Sequence, residues 1–348
     1  MGDSTQEIRH VVGEPTFEGL AQYIRKNNIS KIVVMAGAGI SVSAGIPDFR
    51  SPNVGLYAKL GKYNLHSPTD AFTLELLRQQ PEVFYNILAD MDLWPGRYCP
   101  TTVHHFISLL AKEGCLLCCF TQNIDGLERA CGVPEDLLVE AHGSFSSASC
   151  VECRSKYDVS VAKAESRAGK VPRCSDCGGV VKPDVVFFGE SLPKSFFHAV
   201  ERIVEADLLL IMGTSLQVHP FAQLAISVRP GIPRVLFNYE RVGGRMFRFP
   251  TDVLKVPHSQ QANAGNNGHN RGDSGDEYDS SDSSDGYSQY VFENSGEQAV
   301  LRDIFFPGDC QVSVRSFAEA LGLGEKLDEA VREGRKKFER GLGDMKGL

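Results

Sequence analysis

The sequence predicts an α/β protein with a Rossmann-like, doubly wound parallel sheet and a second, smaller unit built around four cysteines. Three observations support this prediction. Short apolar runs alternate with amphipathic helical patterns along most of the chain. A glycine-rich turn follows the first apolar run, and two Cys-x2-Cys pairs lie in the middle of the chain, separated by 20 residues.

The predicted strands and helices alternate in the order that a doubly wound sheet requires. Apolar runs without polar alternation are typical of parallel strands that are buried on both faces. Helical patterns over 17–27, 103–114 and 196–206 precede three of these runs. A further pattern over 324–348 predicts an amphipathic C-terminal helix. The runs expected to form strands are 31–36, 114–120, 181–188, 206–213, 234–239 and 251–257.

Length and composition indicate a globular protein without a membrane anchor. The 348 residues are 42% hydrophobic and 23% charged, as in ordinary soluble domains. No run approaches the roughly 18 apolar residues that a membrane-spanning helix needs. The first residues, MGDSTQEIRH, contain no apolar core of a signal peptide and no arginine-rich amphipathic pattern. We therefore expect a cytoplasmic protein, and the sequence leaves shuttling to the nucleus open.

The net charge of −8 comes almost entirely from one segment. Between His258 and Gln298, eight acidic residues stand against Arg271, which leaves the remainder of the chain close to neutral. A near-neutral folded part argues against a basic surface for nucleic acid. The segment 258–298 is rich in Gly, Asn, Ser and Asp and poor in aliphatic residues, so we predict a disordered acidic insert.

The stretch MAGAGISVSAGIPDFRSP, residues 35–52, follows the first predicted strand. The turn Gly37-Ala38-Gly39 resembles the first βα turn of a dinucleotide-binding fold, in which bare backbone lets a pyrophosphate approach a helix that begins near Ile40. Val42 occupies the place of the third glycine of GxGxxG, and no acidic residue follows about 20 positions later. An ordinary nicotinamide dehydrogenase is therefore disfavoured, and a purely structural turn stays an equal alternative.

The cysteines give the most specific local signal. Cys150 and Cys153 form one pair, Cys174 and Cys177 the other, with the spacing of a four-thiolate zinc site. Four thiolates leave no open position for water, so the predicted zinc is structural. Redox dithiols or disulfides are the alternative, which a cytoplasmic setting disfavours. The cysteines at 115–119 lie within an apolar run and are expected to be core thiols.

Polar residues stand at two places where a parallel sheet delivers functional groups. The segment from Thr121 to Asp125 follows a predicted strand, at the carboxyl end where open α/β sheets bind ligands. The segment from Glu140 to Ser144 precedes the cysteine unit and contains His142. Its position between two units makes His142 a candidate general base, although a structural histidine remains the more common outcome.

Six motifs in order resemble those of the sirtuin family, and the resemblance runs from about Phe17 to Leu323. The motifs are GAGISVSAGIPDFRSP, TQNIDGLER, EAHGSF, the two Cys-x2-Cys pairs, KPDVVFFGESLP and GTSLQVHPF. The last two segments most resemble the sirtuin 2 type. The resemblance implies NAD-dependent removal of acyl groups from protein lysines.

The resemblance also implies a division of the chain. It places an N-terminal extension at 1–16, a catalytic domain at 17–323, the acidic insert at 258–298 and the C-terminal helix at 324–348. Within the catalytic domain, the smaller unit would consist of a helical module at about 52–98 and a zinc ribbon at about 146–180. The Rossmann-like core would comprise about 17–51, 99–145, 181–257 and 299–323.

The resemblance assigns NAD to residues at six places in the sequence. It implies that backbone N–H groups from 38 to 42 hold the pyrophosphate and that residues 48–50 belong to a loop over the reacting ribose. Tyr239 stands where relatives often carry lysine and is expected to point outward. The residues expected at the NAD site are Ala38, Gly39, Ile40, Ser41, Val42, Asp48, Phe49, Arg50, Gln122, Asn123, Ile124, Asp125, Thr214, Ser215, Asn238, Tyr239, Glu240 and Cys310.

For the reaction, the resemblance implies two catalytic residues, His142 as general base and Asn123. NAD would be consumed as a co-substrate, and the products would be nicotinamide, 2′-O-acyl-ADP-ribose and free lysine. The substrate would pair as an added strand, with Val186, Phe187, Gly189 and Glu190 as its contacts. Expected partners are acyl-lysine proteins, for example histone tails or tubulin-like targets, and the protein is expected to be a monomer. Mono-ADP-ribosyl transfer and a non-catalytic NAD-sensing scaffold remain the alternatives.

Overall fold

The computed structural model describes residues 9–48, 60–91, 94–249 and 300–345. The expectations that fall outside these ranges include the strand at 251–257, the acidic insert and the predicted NAD contacts Phe49 and Arg50. No helix in the described part of the chain is both long and apolar enough to cross a membrane.

Strands and helices alternate through most of the described chain. The strands are β1 (Arg9–His10), β2 (Ile32–Ala36), β3 (Leu116–Thr121), β4 (Leu138–Glu140), β5 (Gly143–Cys150), β6 (Lys156–Tyr157), β7 (Val181–Val185), β8 (Leu208–Met212), β9 (Arg234–Asn238), β10 (Val300–Leu301) and β11 (Asp303–Pro307). The helices are α1 (Phe17–Lys26), α2 (Leu74–Gln79), α3 (Pro81–Met91), α4 (Thr102–Lys112), α5 (Leu127–Ala130), α6 (Val159–Arg167), α7 (Lys194–Val200), α8 (Leu224–Ser227), α9 (Cys310–Ala320) and α10 (Gly324–Met345).

Six parallel strands form the main sheet, in the spatial order β11-β9-β8-β2-β3-β4. Counted along the chain within this sheet, the order is 6-5-4-1-2-3, which is the doubly wound Rossmann arrangement. The predicted fold class is therefore confirmed. The direction of winding reverses between β2 and β8, and open sheets of this kind bind ligands in the crevice at that reversal.

The side chains of β2 alternate between two hydrophobic layers. Val34 packs on one face with Phe106 of α4 and Phe317 of α9. Val33 faces the opposite layer, which contains Phe196 of α7 and the nearby Phe221. All five residues of β2 are buried because the strand is covered on both sides. Its sequence is therefore a continuous apolar run.

A smaller sheet, in the order β6-β5-β7, stands apart from the main sheet and is antiparallel. It shares a third hydrophobic cluster with α2 and α3, in which Phe84, Trp94 and Phe145 are buried. The expectation that the run at 181–188 joins the parallel sheet is wrong. Val181–Val185 pairs with β5 instead, because an apolar run carries no information about the direction of its partner strand.

Two helix predictions also need correction, whereas the C-terminal one is confirmed. The pattern at 196–206 yields α7 followed by a separate 3-10 turn, Ile203–Glu205. Where a helix is expected to begin near Ile40, the chain forms two 3-10 turns, Ala38–Ile40 and Val42–Ala44. The amphipathic α10 lies along α4, where Gly334 leaves space for the His105 ring.

One ion pair in the main sheet is almost completely buried. The Arg234 guanidinium donates to both carboxylate oxygens of Asp303, at 2.7 and 2.6 Å, and the two side chains are 4% and 3% exposed. The remaining guanidinium bonds go to the Ala225 and Met246 carbonyls, and the Arg248 N–H also donates to Asp303. These hydrogen bonds to both charged groups offset the free-energy cost of removing the pair from water.

We predict that Asp303→Asn lowers the free energy of unfolding by about 3–5 kcal/mol, because it leaves the buried Arg234 cation without its counter-charge. Asp328 offers a matched control, since it makes the same two-bond contact with Arg315 at the surface. Asp328→Asn should cost less than about 1 kcal/mol. Chemical denaturation of both variants measures the difference, and equal losses would contradict the prediction.

Candidate functional site

The turns that follow β2 and β8 touch through their backbones at the reversal point of the sheet. The N–H groups of Gly37 and Gly39 donate to the carbonyls of Met212 and Gly213, at 3.0 and 2.8 Å. A Cβ on Gly39 would lie 2.7 Å from the Gly213 Cα, and Gly213 has a φ of +60°. Side chains are therefore excluded from this crossing, which explains the glycines of the first motif.

The 3-10 turns after β2 use several of the amide groups expected to hold a pyrophosphate. Besides Gly39, the N–H groups of Ile40 and Ser41 donate to the Gly37 and Ala38 carbonyls. Within the described chain, the Ala38 and Val42 amides have no backbone partner and remain available for an anion. The cradle predicted from 38–42 thus offers fewer free donors than the sequence pattern indicates.

A buried polar cluster lies directly beneath these turns. The Ser41 hydroxyl donates to the Asp125 carboxylate at 2.8 Å, and the Asn123 amide reaches the Gly37 carbonyl at 3.2 Å. His104 lies 3.4 Å from the same hydroxyl through Nε2. Its Nδ1 accepts from the Thr101 N–H at 3.2 Å, so Nε2 carries the proton and donates to Ser41. Ser41, Asn123 and Asp125 are at most 9% exposed.

Burial controls the charges of this cluster. Complete burial lowers the pKa of His104 to about 3, so its imidazole is neutral at physiological pH. Desolvation raises the pKa of Asp125, against the hydrogen bonds from the Leu127 N–H and Ser41. Desolvation and the neighbouring Asp125 also raise the pKa of Glu128, which accepts from the Thr121 hydroxyl at 2.6 Å. Because no cation of the described residues contributes to these shifts, simultaneous ionisation of the two buried carboxyl groups is disfavoured.

His142 stands between the two sheets. Its Nδ1 lies 3.0 Å from the Gln122 carbonyl, which can only accept a hydrogen bond, so Nδ1 carries the proton and Nε2 is an unprotonated acceptor. Desolvation lowers the pKa of His142, which keeps the ring neutral. A neutral imidazole with a fixed tautomer is the state that a general base requires.

The far side of the crevice is formed by the ends of β8 and β9. Thr214 donates through its hydroxyl to the Gln122 side chain at 2.7 Å, and the Asn238 amide donates to the Thr214 carbonyl at 3.2 Å. Cys310 is buried at the start of α9, with its thiol 3.2 Å from the Phe237 carbonyl. Ser215, Tyr239 and Glu240 are exposed.

The expected substrate segment continues from β7. The Val186 N–H donates to the His142 carbonyl at 2.8 Å, so this segment is bound directly to the backbone of the candidate base. Phe187 is 2% exposed and packs against Phe72 and Phe84. Gly189 and Glu190 form the turn that follows.

The four cysteines of the small sheet converge on one point. Their sulfur atoms lie within 4.8 Å of one another, and two of the separations are 3.5 and 3.6 Å. Tetrahedral zinc with Zn–S bonds of about 2.3 Å places its sulfurs about 3.8 Å apart, so this donor set fits zinc. None of the four is in a disulfide. Of the other cysteines, Cys118 and Cys119 are buried as expected, whereas Cys115 is only half-buried.

The structure brings together most of the predicted site residues and adds others. Phe49 and Arg50 lie outside the described residues, and Asp48 is half-buried at their border. His104 and Glu128 were not among the candidates, because a histidine or glutamate inside a helical pattern usually indicates an ordinary helix residue. Thr101 and Gln311 hold the Ile40 carbonyl at 2.9 and 3.0 Å and were missed as well. Nothing in their local sequence indicates this contact.

Fold and site together define a nucleotide-binding α/β protein with a structural metal ribbon. Residues 37–220 match the model of the Sir2 family. The chain is 70% identical over 334 residues to the NAD-dependent protein deacetylase SIR2rp1 of Trypanosoma brucei brucei, covering 95% of each protein. It is 52% identical to the SIR2rp1 deacetylase of Leishmania major, over 93% of each chain. Zebrafish (Danio rerio) sirtuin-2 is 46% identical over 68% of this chain and 65% of its own length.

The chain therefore belongs to the Sir2 family, the sirtuins, as the motifs predict. The family match covers the glycine turns, the polar cluster, His142 and all four cysteines. The segments outside it include α1 and the C-terminal helices, which pack on one face of the main sheet.

We predict one zinc ion per chain in the purified protein. Cys174→Ser should release the metal and destabilise the small sheet, because the buried Cys174 sulfur is one of the four donors. Cys115→Ser is the matched control, since Cys115 lies away from this cluster, and it should retain the zinc. Elemental analysis and thermal unfolding measure both effects, and metal-free active protein would refute the assignment.

Proposed function

We propose that this protein removes acetyl groups from lysine side chains of other proteins and consumes NAD in doing so. The observation that carries the proposal is the position and state of His142. Its ring is a neutral base with a fixed tautomer, bonded through Nδ1 to the Gln122 carbonyl on the nucleotide side, and its backbone carbonyl accepts from the Val186 N–H on the expected substrate side. The curated relatives that are 70% and 52% identical over nearly their whole length are named NAD-dependent protein deacetylases.

NAD would supply an activated ribose with nicotinamide as the leaving group for the acyl oxygen of the substrate, and water would complete the release of free lysine. The contribution of His142 is to remove a proton from a ribose hydroxyl through Nε2, so that the acyl group can move from lysine onto the ribose. General-base assistance of this kind is typically worth about 10²–10⁴-fold in rate. Because Nδ1 stays bound to the Gln122 carbonyl, the ring keeps its orientation during the transfer.

The polar cluster would hold the nicotinamide half of the cofactor. Asn123 and Asp125 are buried beneath the glycine turns and offer an amide and a carboxyl group to a carboxamide or a ribose. The Ser41 hydroxyl fixes the Asp125 carboxyl, and His104 in turn orients that hydroxyl. Glu240 and Asn238 stand at the other end of the crevice, where they are suited to the adenosine ribose.

The expected substrates are acylated lysines in exposed protein segments, such as histone tails or tubulin-like targets. The near-neutral folded part gives no reason to propose direct binding of nucleic acid. We further propose a monomer that works in the cytoplasm. Transfer of ADP-ribose to a protein nucleophile is the second activity that the same crevice could perform, although the named relatives do not favour it.

Mass spectrometry of a reaction with NAD and an acetyl-lysine peptide tests the proposal. Deacetylation should yield free peptide, nicotinamide and O-acetyl-ADP-ribose in equal amounts. ADP-ribosyl transfer would instead give a modified protein without deacetylated peptide. Absence of both products from zinc-loaded protein would refute catalysis.

We predict that His142→Ala lowers deacetylation by at least about 10²-fold while NAD still binds, because the base acts after the cofactor is seated. His198→Ala is the control, since His198 is an exposed histidine on α7. It should keep wild-type kcat and KM. Steady-state kinetics and calorimetric titration with NAD measure the two properties, and near-normal turnover of His142→Ala would remove His142 from the mechanism.

The pH dependence gives a separate test. The active form of His142 is neutral, so kcat/KM should fall as the pH decreases through its pKa. Because burial lowers that pKa, the acid limb should have its midpoint below 6.5, the ordinary value for histidine. Profiles of kcat/KM from about pH 5 to 8 report the value in the free enzyme. A midpoint above 6.5 would show that another group controls the acid limb.

A further inference from the structure

Lys182 is an almost completely buried lysine in the small sheet, outside the cluster described above. It is 6% exposed, and its ammonium donates to the Val185 carbonyl at 2.6 Å and to the Glu190 carboxylate at 2.9 Å. The same ammonium stands 4.2 Å from the centre of the Phe187 ring. All three partners lie between residues 185 and 190, which is the expected substrate segment. Burial of an ammonium group costs free energy, which its partners must offset, so the contacts of Lys182 indicate a specific role.

The partner carboxylate closes the turn that the substrate segment makes. The Glu190 side chain accepts from the Phe187 N–H at 2.8 Å, and the Glu190 N–H donates back to the Phe187 carbonyl at 2.9 Å. Gly189 has a φ of +86° at the third position of this four-residue turn, as a type II turn requires. Lys182 holds the carboxylate in place through a charge-assisted bond and therefore fixes the shape of the turn.

The turn decides which backbone groups remain for a substrate strand. The N–H groups of Val186, Phe187 and Phe188 donate to His142, Glu190 and Phe72, respectively. Among residues 186–190, the Gly189 N–H has no hydrogen-bond partner within the part of the chain that the structure describes. An added strand can therefore pair here through the Gly189 N–H and neighbouring carbonyls. The direction in which this N–H and these carbonyls point depends on the conformation of the turn.

We propose that Lys182 is a positioning residue for the acyl-lysine peptide. It acts through Glu190, Val185 and Phe187, which together set the orientation of the Gly189 amide and the edge that receives the peptide. The proposal rests on the proposed deacetylase function. It adds that peptide recognition depends on a buried cation that the peptide does not contact.

The test compares KM for the peptide with KM for NAD in Lys182→Met, which keeps the length of the side chain and removes its charge. The KM for an acetyl-lysine peptide should rise by about tenfold or more, as for a lost charge-assisted hydrogen bond. The KM for NAD should stay within about twofold, since the nucleotide crevice is formed by the other sheet. Equal increases in both constants, or an unchanged KM for the peptide, would overturn the proposal.

Two further variants separate positioning from folding. Lys156→Met is the matched control, because Lys156 makes an exposed ion pair with Asp184 in the same small sheet, and both KM values should be unchanged. Lys182→Arg keeps a cation opposite Glu190 and should fold. Its longer, planar group cannot reproduce both short bonds, so it should show a smaller rise in the peptide KM with the same selectivity. A nonselective effect in Lys182→Arg would overturn the proposal.

A readout that needs no turnover keeps this inference distinct from the proposed function. Binding of a fluorescent acetyl-lysine peptide to the protein, in the presence of ADP-ribose, should weaken in Lys182→Met and not in Lys156→Met. Loss of zinc or a lower melting temperature identifies a variant whose small sheet has unfolded. If both Lys182→Met and Lys182→Arg unfold in this way, Lys182 serves the stability of the sheet and the proposal is overturned. If the wild-type protein binds the peptide without deacetylating it, the proposed function fails while the role of Lys182 stands.

Discussion

The contact between the two glycine turns is the constraint on which the site depends. Gly39 lies against the Gly213 backbone, and Gly37 lies against Gly213 and Thr214, so the carboxyl ends of β2 and β8 meet only because neither glycine carries a side chain. The chain then leaves β2 in a fixed direction, and the Ile40 carbonyl is held from two sides by Thr101 and Gln311. Ser41 is the next residue, so the fixed position of Ile40 also places the Ser41 hydroxyl within hydrogen-bond distance of Asp125.

The protein treats buried charge differently in its two polar centres. Arg234 and Asp303 neutralise each other completely, and their role is structural. Beneath the glycine turns, Asp125 and Glu128 have hydrogen-bond donors but no cationic partner among the described residues, and His104 is neutral. Such a cluster is less stable than a paired one, as is common where groups must remain available for a ligand. The cluster beneath the glycine turns is therefore better suited to binding a ligand than to stabilising the fold.

The sequence predicted best those features that depend on local chemistry. The cysteine spacing predicted the four thiols that converge in the small sheet, and continuous apolar runs identified the buried strands β2, β3, β8 and β9. It failed where partners are distant in sequence. The run at 181–188 pairs with β5 rather than with the main sheet. The three-residue β4 is too short for a periodic signal. In β11 a charged residue and a proline flank an apolar run of only three residues. His104 and Gln311 gain their roles only through tertiary contacts with residues near 40.

His142 connects the two units of the site. Its ring is bonded to the Gln122 carbonyl, which follows a strand of the main sheet, whereas its own carbonyl accepts from Val186 beside the small sheet. Gly143 permits this close approach, because it has a φ of +68° and a Cβ would lie 2.0 Å from the Asp184 carbonyl oxygen. The base is therefore placed by both sheets at once. A shift of either unit would move Nε2 relative to the nucleotide or to the peptide, so the glycine after His142 serves the chemistry as much as the fold.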